Sequence, residues 1–558
     1  MKAVIMAGGK GTRLRPLTCD IPKPMVPVLN KPVMEYSIEL LRQYQITEIA
    51  VTMAYLPSVI MDYFGSGEEW GVHLHYYIEE VPLGTGGSVK NAEDFLDSTF
   101  IVISGDALTD IDIQKAIDFH QRKKSKATLV LKKESVPLEY GIIITDDEGR
   151  IIRFLEKPSW GEVFSDTVNT GIYILEPDVL DFYRKGENFD FSKDLFPKLL
   201  EKGIPMYGYI TRDYWNDIGD IPSYMQTHFD ILDGKARVKI KGKEIEKGIW
   251  AEEGVQMEGG VSIAPPVYIG RNCTIKAHAD LKPYTFLGDG CTVGERTRLK
   301  RSIIGKNSAI GSDTTCTGTV LCSNVQIKNR VNILEGSAIG TGTILSDGVI
   351  VKPNVKIWPD KKIEADVIVH QNLVWGTKAS KTLFGHRDIS GEINIDITPE
   401  FASRLGSAYA SSLEAEKTIV VSSDCSNASH IIKNSIVSGI LSTGANVIDI
   451  QKGAMPINRF AVREHQAVGG IHVWLDHVEE NRIHIEFVNE KGANLDRNTE
   501  RKIAYLFDRE DFERCNAEKV KRPVEIDNFS SFYMQAGAKR IPNISQIKRK
   551  SPRLILSS

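Results

Sequence analysis

The sequence lacks a long apolar run, a Cys-x-x-Cys pair and a strong charge of either sign. Without an apolar stretch of membrane-spanning length, no transmembrane helix is expected. The apolar run at Met1–Met6 ends at a glycine loop and is far too short for a signal peptide. The seven cysteines, Cys19, Cys273, Cys291, Cys316, Cys322, Cys425 and Cys515, are scattered and odd in number. Neither a disulfide framework nor a zinc site is therefore indicated. A net charge of −4 gives no general electrostatic case for binding nucleic acid or a membrane surface. Gly-Lys-Ser/Thr is absent as well, which excludes a P-loop, and Gly9-Lys10-Gly11-Thr12-Arg13-Leu14 lacks the last glycine of a dinucleotide fingerprint. Together these absences point to a soluble protein in a reducing, cytoplasmic setting. At 558 residues the chain is too long for one core, so two to four domains are expected.

Three rhythms divide what is present. Residues 1–233 alternate apolar strands (Glu48–Met53, Val72–Ile78, Phe100–Ser104, Ala127–Leu131) with helical spacing over Val33–Tyr44 and Asp112–Lys123. This alternation predicts an α/β, Rossmann-like, largely parallel doubly wound sheet with its ligand at the carboxyl ends of the strands. A basic linker over residues 234–250 follows. Over residues 251–372 small apolar residues then recur every six positions: Val255, Val261, Val267, Cys273, Ala279, and, after a shift in register, Val325, Val331, Ser337, Thr343, Val349. A period of six with Gly and Asn at the corners predicts a parallel β-helix of hexapeptide repeats, and its rung cysteines are expected in the core. The β-helix resembles the left-handed prisms of sugar-nucleotide enzymes and acyltransferases. Its flat faces and open ends predict a homo-oligomer. Residues 373–520 are again α/β (Thr418–Ser422 strand, His430–Leu441 helix, Asn446–Ile450 strand, Asn481–Asn489 strand). Residues 521–558 read as a second domain's start or a tail, ending on an apparent strand at Arg553–Ser558.

Chemistry is concentrated in the first region. Ala3–Met6 is a short apolar strand, and Ala7–Thr18 follows it with glycines at Gly8, Gly9 and Gly11, then Thr12 and Arg13. Strand then glycine loop suits phosphate, because backbone N–H groups can approach the anion. Pro22-Lys23-Pro24 adds a second cation on a rigid turn. Ser104-Gly105-Asp106 closes an apolar strand, and Trp215-Asn216-Asp217-Ile218-Gly219 brings a second carboxylate ahead of a helix beginning near Ile221. An aspartate ending a strand is equally consistent with a helix cap. These blocks, in this order, resemble the sugar-nucleotide pyrophosphorylases, which join a nucleoside triphosphate to a sugar 1-phosphate. The resemblance implies phosphate cations at Arg13 and Lys23 and Mg²⁺ ligands at Asp106 and Asp217. It implies a nucleotide-binding loop within Glu80-Val81-Pro82-Leu83-Gly84-Thr85-Gly86-Gly87, where alanine is more usual at Gly86. Sugar-phosphate contacts are implied at Tyr140-Gly141, Glu156-Lys157-Pro158 and Asn169-Thr170. The architecture is most similar to mannose-1-phosphate guanylyltransferases, so GTP and mannose 1-phosphate are the expected substrates. Guanine's adjacent N–H donors suit a carboxylate such as Glu79 or Glu80. A uridylyl- or thymidylyltransferase acting on glucose 1-phosphate, and a regulatory sugar-nucleotide-binding protein without turnover, remain open. Acyl transfer with His278 or His370 as base is the remaining alternative.

The last region resembles a degenerate, partial α-D-phosphohexomutase. Phe384-Gly385-His386-Arg387-Asp388-Ile389-Ser390-Gly391 is similar to that family's N-terminal block, with Ser390 where arginine is usual. Ser423–His430 is similar to its phosphoserine loop, with Ser426 replacing arginine and Ala428 replacing the phosphorylated serine; Ser429 stands one place late. Val473–Val478 replaces the second catalytic loop, and the Asp-Gly-Asp metal loop is absent from these residues. Mutase chemistry is therefore expected to be lost.

Overall fold

The computed structural model describes residues 1–134, 141–156, 166–374, 378–379, 383–385, 388–414, 417–479 and 481–550. It divides into two compact units, Met1–Ala379 and Ser380–Ser558.

The first unit begins with a sheet built from β1 (Lys2–Met6), β2 (Glu48–Met53), β3 (His73–Ile78), β4 (Phe100–Ser104), β6 (Ala127–Lys133), β7 (Gly141–Thr145), β8 (Ile151–Glu156), β9 (Thr167–Leu175) and β10 (Met206–Ile210), in the order β8-β7-β9-β4-β1-β2-β3, with β6 beside β9 and β10 beside β6. Strands β4-β1-β2-β3 are parallel; β4, β1 and β2 carry almost unbroken apolar runs buried on both faces, whereas β3, at the edge, alternates apolar with exposed residues. The rest of the sheet is more mixed than the alternation rule predicts. β9 runs antiparallel to β4, β6 and β7, and β7 runs antiparallel to β8. Strand-to-strand connections that carry no helix leave no helical rhythm in the sequence. Beside the sheet lies a short antiparallel pair, β5 (Ala107–Thr109) with β11 (Trp215–Asp217). The helices used below are α1 (Val33–Gln43), α2 (Gly84–Asn91) and α3 (Ile221–Leu232).

The hexapeptide region forms three sheets of short strands, parallel except that the first, Lys243–Glu246, runs antiparallel to Ile249–Ala251. Inward side chains such as Val267, Cys273, Ile275, Cys291, Val293, Cys316 and Val331 are buried in one continuous core. Its corners explain the period of six. Gly254, Gly260, Asn272, His278, Tyr284, Gly290 and Arg296 all take positive φ, as do Gly336, Gly342, Gly348, Asn354, Asp360 and Asp366 later. Left-handed backbone at each corner favours Gly, Asn and Asp, which hold most of the corners, while His278, Tyr284 and Arg296 adopt it as well. The register shift is equally local. Phe286 pairs with Ile303 and Ile303 with Val320, whereas Val320 pairs with Ala338. Two successive coils are thus one residue shorter, with their early corners at Arg301 and Gly318. His278 is one of these corner residues and lies exposed, a structural position. Strands of the prism begin earlier than the sequence rhythm: Lys243–Glu246 pairs with Ile249–Ala251, which pairs with Val267–Ile269. Past the last six-residue repeat, Lys378–Ala379 still pairs with Lys362–Ile363.

One face of the prism is covered by the chain itself. Tyr268, Phe286, Ile303, Val320 and Ala338 point outward from their sheet and are buried with Leu29, Tyr36, Tyr224, Met225 and Phe229 of the nucleotidyltransferase-like part. This burial removes the need for a partner on that face. The other two faces show Gln256, Thr274, Thr292 and Gln326, and Ser262, Asp280, Arg298 and Asn332.

In the second unit, strands Asp388–Glu392, Arg482–Asn489, Gly469–Leu475, Thr418–Ser423, Asn446–Lys452 and Val524–Glu525 lie side by side in that order. Thr418–Ser423 and Asn446–Lys452 are parallel and joined through a helix, as the sequence predicts, whereas Gly469–Leu475, parallel to Thr418–Ser423, is a strand that takes in Val473–Leu475 of the stretch read as a replaced loop. The helix predicted from His430 begins three residues earlier, at Asn427, because Ser426 caps it: the Ser429 N–H donates to Ser426 Oγ at 3.0 Å. The strand expected at Arg553–Ser558, and His386-Arg387, lie outside the described residues.

Candidate active site

The site forms where β1 and β4 end. After Met6 the chain leaves the sheet, and Ala7 N–H donates to Thr52 O at 2.8 Å. Gly8 is half-buried, while Gly9, Thr12 and Arg13 are exposed. Gly11 has φ of 62°, and a Cβ there would meet Lys23 Cβ at 3.0 Å and Thr18 Cγ2 at 3.1 Å. Only glycine satisfies both the backbone and the space. The loop is therefore folded against the stem of Lys23, and Lys23 N–H donates to Gly9 O at 3.4 Å.

Two carboxylates meet at this point because of strand register. Asp106 follows β4 and precedes β5; Asp217 ends β11, whose partner in the pair is Ala107. Gly219 then turns the chain into α3. Asp220 accepts from Ser223 N–H at 2.8 Å and its own N–H donates to Ser223 Oγ at 3.0 Å, a reciprocal cap that starts the helix at Ile221 as predicted. The Lys23 ammonium lies between the carboxylates, 2.7 Å from Asp106 Oδ2 and 3.0 Å from Asp217 Oδ1. Arg13 joins them: a Cβ on Gly219 would lie 3.2 Å from both its Nη2 and Asp217 Oδ2. Arg13, Lys23, Asp106 and Asp217, four residues scattered over two hundred positions, are thus brought together. The Ser104 hydroxyl donates to the other oxygen of Asp106, a contact the sequence reading missed although Ser104 belongs to the Ser-Gly-Asp block.

Electrostatics separate the two acids. Burial opposes ionisation of Asp106, but the Lys23 charge and the hydrogen bonds from Lys23 and Ser104 outweigh it and hold the carboxyl below its usual range. Burial and the neighbouring Asp106 charge push Asp217 up, against the pull of Lys23 and Arg13. Burial disfavours the Lys23 charge, yet the two aspartates more than reverse this and raise its pKa.

The proposed nucleotide loop is positioned differently from expectation. Glu79 is buried, and its carboxylate accepts from Leu83 N–H at 3.1 Å and from the Ser88 hydroxyl, so it braces the loop and is not presented to a base. Glu80 is exposed. Gly84 opens α2 with φ of 73°, and a Cβ there would strike Phe189 O at 2.7 Å. Thr85 is half-buried and already engaged: its hydroxyl donates to Asp190 Oδ2 and accepts from Phe191 N–H, each at 2.9 Å. Gly86, where alanine is more usual, packs against the same Phe189 backbone.

Of the sugar-phosphate residues, Gly141 and Glu156 are direct neighbours across β7 and β8. Asn169 opens an irregularity in β9, and its carboxamide bonds Tyr173 Oη and Gly171 N–H. Gly171 takes φ of 76°, and its missing Cβ would lie 3.5 Å from Ser104 Cβ, which brings this bulge beside the Asp106 strand end. The Thr170 side chain does not reach that space; it is buried and donates to Val130 O at 2.7 Å. Tyr140 and Lys157 lie outside the described residues.

A glycine loop at the carboxyl end of a central parallel strand, with two cations and two carboxylates around one point, defines the class of sites that handle polyphosphate. Comparison with known proteins agrees. The family model described as Nucleotidyl transferase matches residues 2–234. The EIF2B subunit epsilon LbH domain model matches residues 246–357, and phosphoglucomutase/phosphomannomutase α/β/α domain I matches residues 381–514. A UTP–glucose-1-phosphate uridylyltransferase from Synechocystis sp. is 41% identical over 289 residues, 48% of this chain and 74% of that protein. A mannose-1-phosphate guanylyltransferase from Mycobacterium tuberculosis is 35% identical, over 42% of this chain and 65% of that protein. A probable mannose-1-phosphate guanylyltransferase 1 from Oryza sativa subsp. japonica is 32% identical, over 50% and 78% respectively. The chain belongs to the nucleotidyl transferase family.

Proposed function

We propose that the protein transfers a guanylyl group from GTP to mannose 1-phosphate, releasing GDP-mannose and pyrophosphate. The observation that carries the reaction type is the Asp106–Lys23–Asp217 contact beside the glycine loop. In the reaction an oxygen of the sugar phosphate attacks the α-phosphorus, the new P–O bond forms, and the bond to the β-phosphate oxygen breaks, its electrons leaving with pyrophosphate. Catalysis of this kind rests on alignment and on charge placed around the phosphates. The loop from Gly8 to Thr12 offers backbone N–H groups, and Arg13 and Lys23 offer cations to the triphosphate. Among the described residues no cluster of three or more His, Cys, Asp and Glu could hold a metal by itself. Two carboxylates fit Mg²⁺, which takes one or two protein carboxylates and completes its shell with phosphate oxygens and water. Asp106 and Asp217 would hold it, and it would neutralise charge on the reacting phosphates. Gly141, Glu156 and Asn169, with Tyr140 and Lys157, are the proposed sugar-phosphate contacts.

Support for guanine comes from the guanylyltransferases among the relatives and from exposed Glu80 at the loop's entrance. The 41% identity to a uridylyltransferase favours a second reading, UTP with glucose 1-phosphate. A matrix of GTP, UTP and dTTP against mannose and glucose 1-phosphates, followed by pyrophosphate release, tests both. A tenfold or greater kcat/KM preference for UTP, about 1.4 kcal/mol of discrimination, overturns the first in favour of the second.

The second unit is proposed to be chemically silent. Ser429, the serine next to the nucleophile position, is fully buried in the first turn of its helix and accepts from the Ser426 hydroxyl at 2.8 Å. Self-association through the prism is proposed to use its two polar faces or its ends; light scattering that finds a monomer at micromolar concentration overturns it.

A further inference from the structure

We propose that Lys23 is a built-in counter-cation which keeps divalent metal out of the Asp106–Asp217 pair until a triphosphate draws the ammonium away. The inference rests on the metal role given to these aspartates above and adds an order of events to it. Lys23 Nζ sits within ion-pair distance of one oxygen from each carboxylate. That is the position a bridging cation would take. Its side chain is 10% exposed, and those of Asp106 and Asp217 are 21% and 26% exposed. Two partly buried carboxylates on one ammonium repel each other, and the ammonium between them relieves the repulsion. A divalent ion would bring the same relief, but ammonium and metal at one point repel. Occupation by one excludes the other.

The geometry also supplies the ammonium with somewhere to go. Pro22 and Pro24 flank Lys23, which opens a short 3₁₀ turn over Lys23–Met25, so the backbone is fixed and movement falls to the side-chain torsions. The stem runs along the glycine loop: a Cβ at Gly9 would lie 4.0 Å from Lys23 Cδ, and one at Gly11 3.2 Å from Lys23 Cγ. That loop is the proposed phosphate cradle. Rotation of the stem carries the ammonium from the carboxylates towards the phosphates while remaining against the same glycines. Triphosphate and metal therefore enter as a coupled pair, each raising the affinity for the other, and metal alone gains little.

The test measures Mn²⁺ binding to the full nucleotide-free chain by electron paramagnetic resonance, comparing the unmodified protein with Lys23→Met, Lys23→Gln and Lys23→Met/Asp106→Asn. The proposal expects weak binding to the unmodified chain, binding about tenfold tighter or more in the Lys23 single variants, and loss of the gain in the double variant. The unmodified chain supplies an arm that needs no folded Lys23 variant: Mg²⁺ alone is expected to leave its melting temperature unchanged. Mn²⁺ bound to the unmodified chain as tightly as to Lys23→Met, or a Mg²⁺-induced rise in melting temperature that Asp106→Asn abolishes, overturns the proposal and leaves the metal role intact. Single and double variants that bind Mn²⁺ equally weakly overturn the metal role itself.

Discussion

Both units place a short polar loop at the carboxyl end of a parallel strand, yet only one keeps its polar groups available. At Asp106 and Asp217 the charged atoms compensate each other through Lys23 and remain partly open to solvent. Between Asp424 and His430 the serine hydroxyls are spent on the fold: Ser426 caps its helix and Ser429 is sealed beneath it. Asp424 is likewise absorbed, accepting from Ser426 N–H at 2.9 Å and Leu475 N–H at 2.8 Å. A loop whose Ser426, Ser429 and Asp424 side chains are bonded to its own fold has those groups committed and not on offer to a substrate. One whose charges balance only as a set can exchange a member of that set for a ligand.

The contrast predicts opposite responses to substitution. The largest effect belongs to Asp106→Asn and Asp217→Asn, each expected to lower kcat by about a hundredfold or more, as loss of a charge-stabilising group in a preorganised site does. Melting curves should show both variants folded. Lys23→Met should lose turnover and also stability, by about 1–2 kcal/mol, because two partly buried carboxylates lose their shared cation. Urea unfolding of the variant against the parent measures this.

Acid is expected to act on both units through buried histidines. Burial pushes His228 down to about 4, although its ring bonds Tyr224 O; burial pushes His472 down to about 4 as well, against the pull of Asp424. In the unfolded chain each takes up a proton near the ordinary histidine value of 6.5, whereas in the folded chain it does so only near 4. The unfolded state binds more protons in that window, so stability falls as pH drops from about 6.5 towards 4 and levels off below it. The loss is at most about 3 kcal/mol per histidine. His228→Gln should flatten the pH dependence in the first unit, where His228 accepts from Leu29 N–H at the junction with the prism.

The smallest effect is expected at Ser426→Ala, a lost cap costing about 1 kcal/mol with no change in nucleotidyl transfer. A Ser429→Ala variant should be equally silent in any assay for phosphoryl transfer. A mutase signal that disappears with it would erase the contrast between the units.

The parallel core and the hexapeptide prism were legible because their rules are local. An apolar run buried on both faces shows itself residue by residue, and a left-handed corner every six positions writes Gly, Asn and Asp into the sequence. The antiparallel β9 was not legible, since nothing in Thr167–Leu175 announces which way it runs between β4 and β6. At the site, the glycine loop, Arg13, Lys23 and both aspartates were identifiable from ordered motifs. Their convergence depends on the Asp217–Ala107 pairing, which joins strands far apart in the chain. Glu79 was misjudged for a related reason: a glutamate at a strand end reads as exposed, and only the return of α2 with Ser88 buries it. Motif position points to Thr85 and Thr170, whereas tertiary contacts with Asp190 and Val130 occupy their hydroxyls.

The central claim is that the chain performs nucleotidyl transfer at the Asp106–Lys23–Asp217 site and nothing at the mutase-like loop. The most direct measurement incubates the full chain with Mg²⁺, GTP or UTP, and a hexose bisphosphate, supplying either the 6-phosphate or the 1-phosphate of the same sugar, mannose or glucose. The expected result is equal amounts of pyrophosphate and nucleotide sugar from a 1-phosphate and neither product from any 6-phosphate. Nucleotide sugar formed from a 6-phosphate, or turnover from a 1-phosphate that survives unchanged in Asp106→Asn, would contradict it.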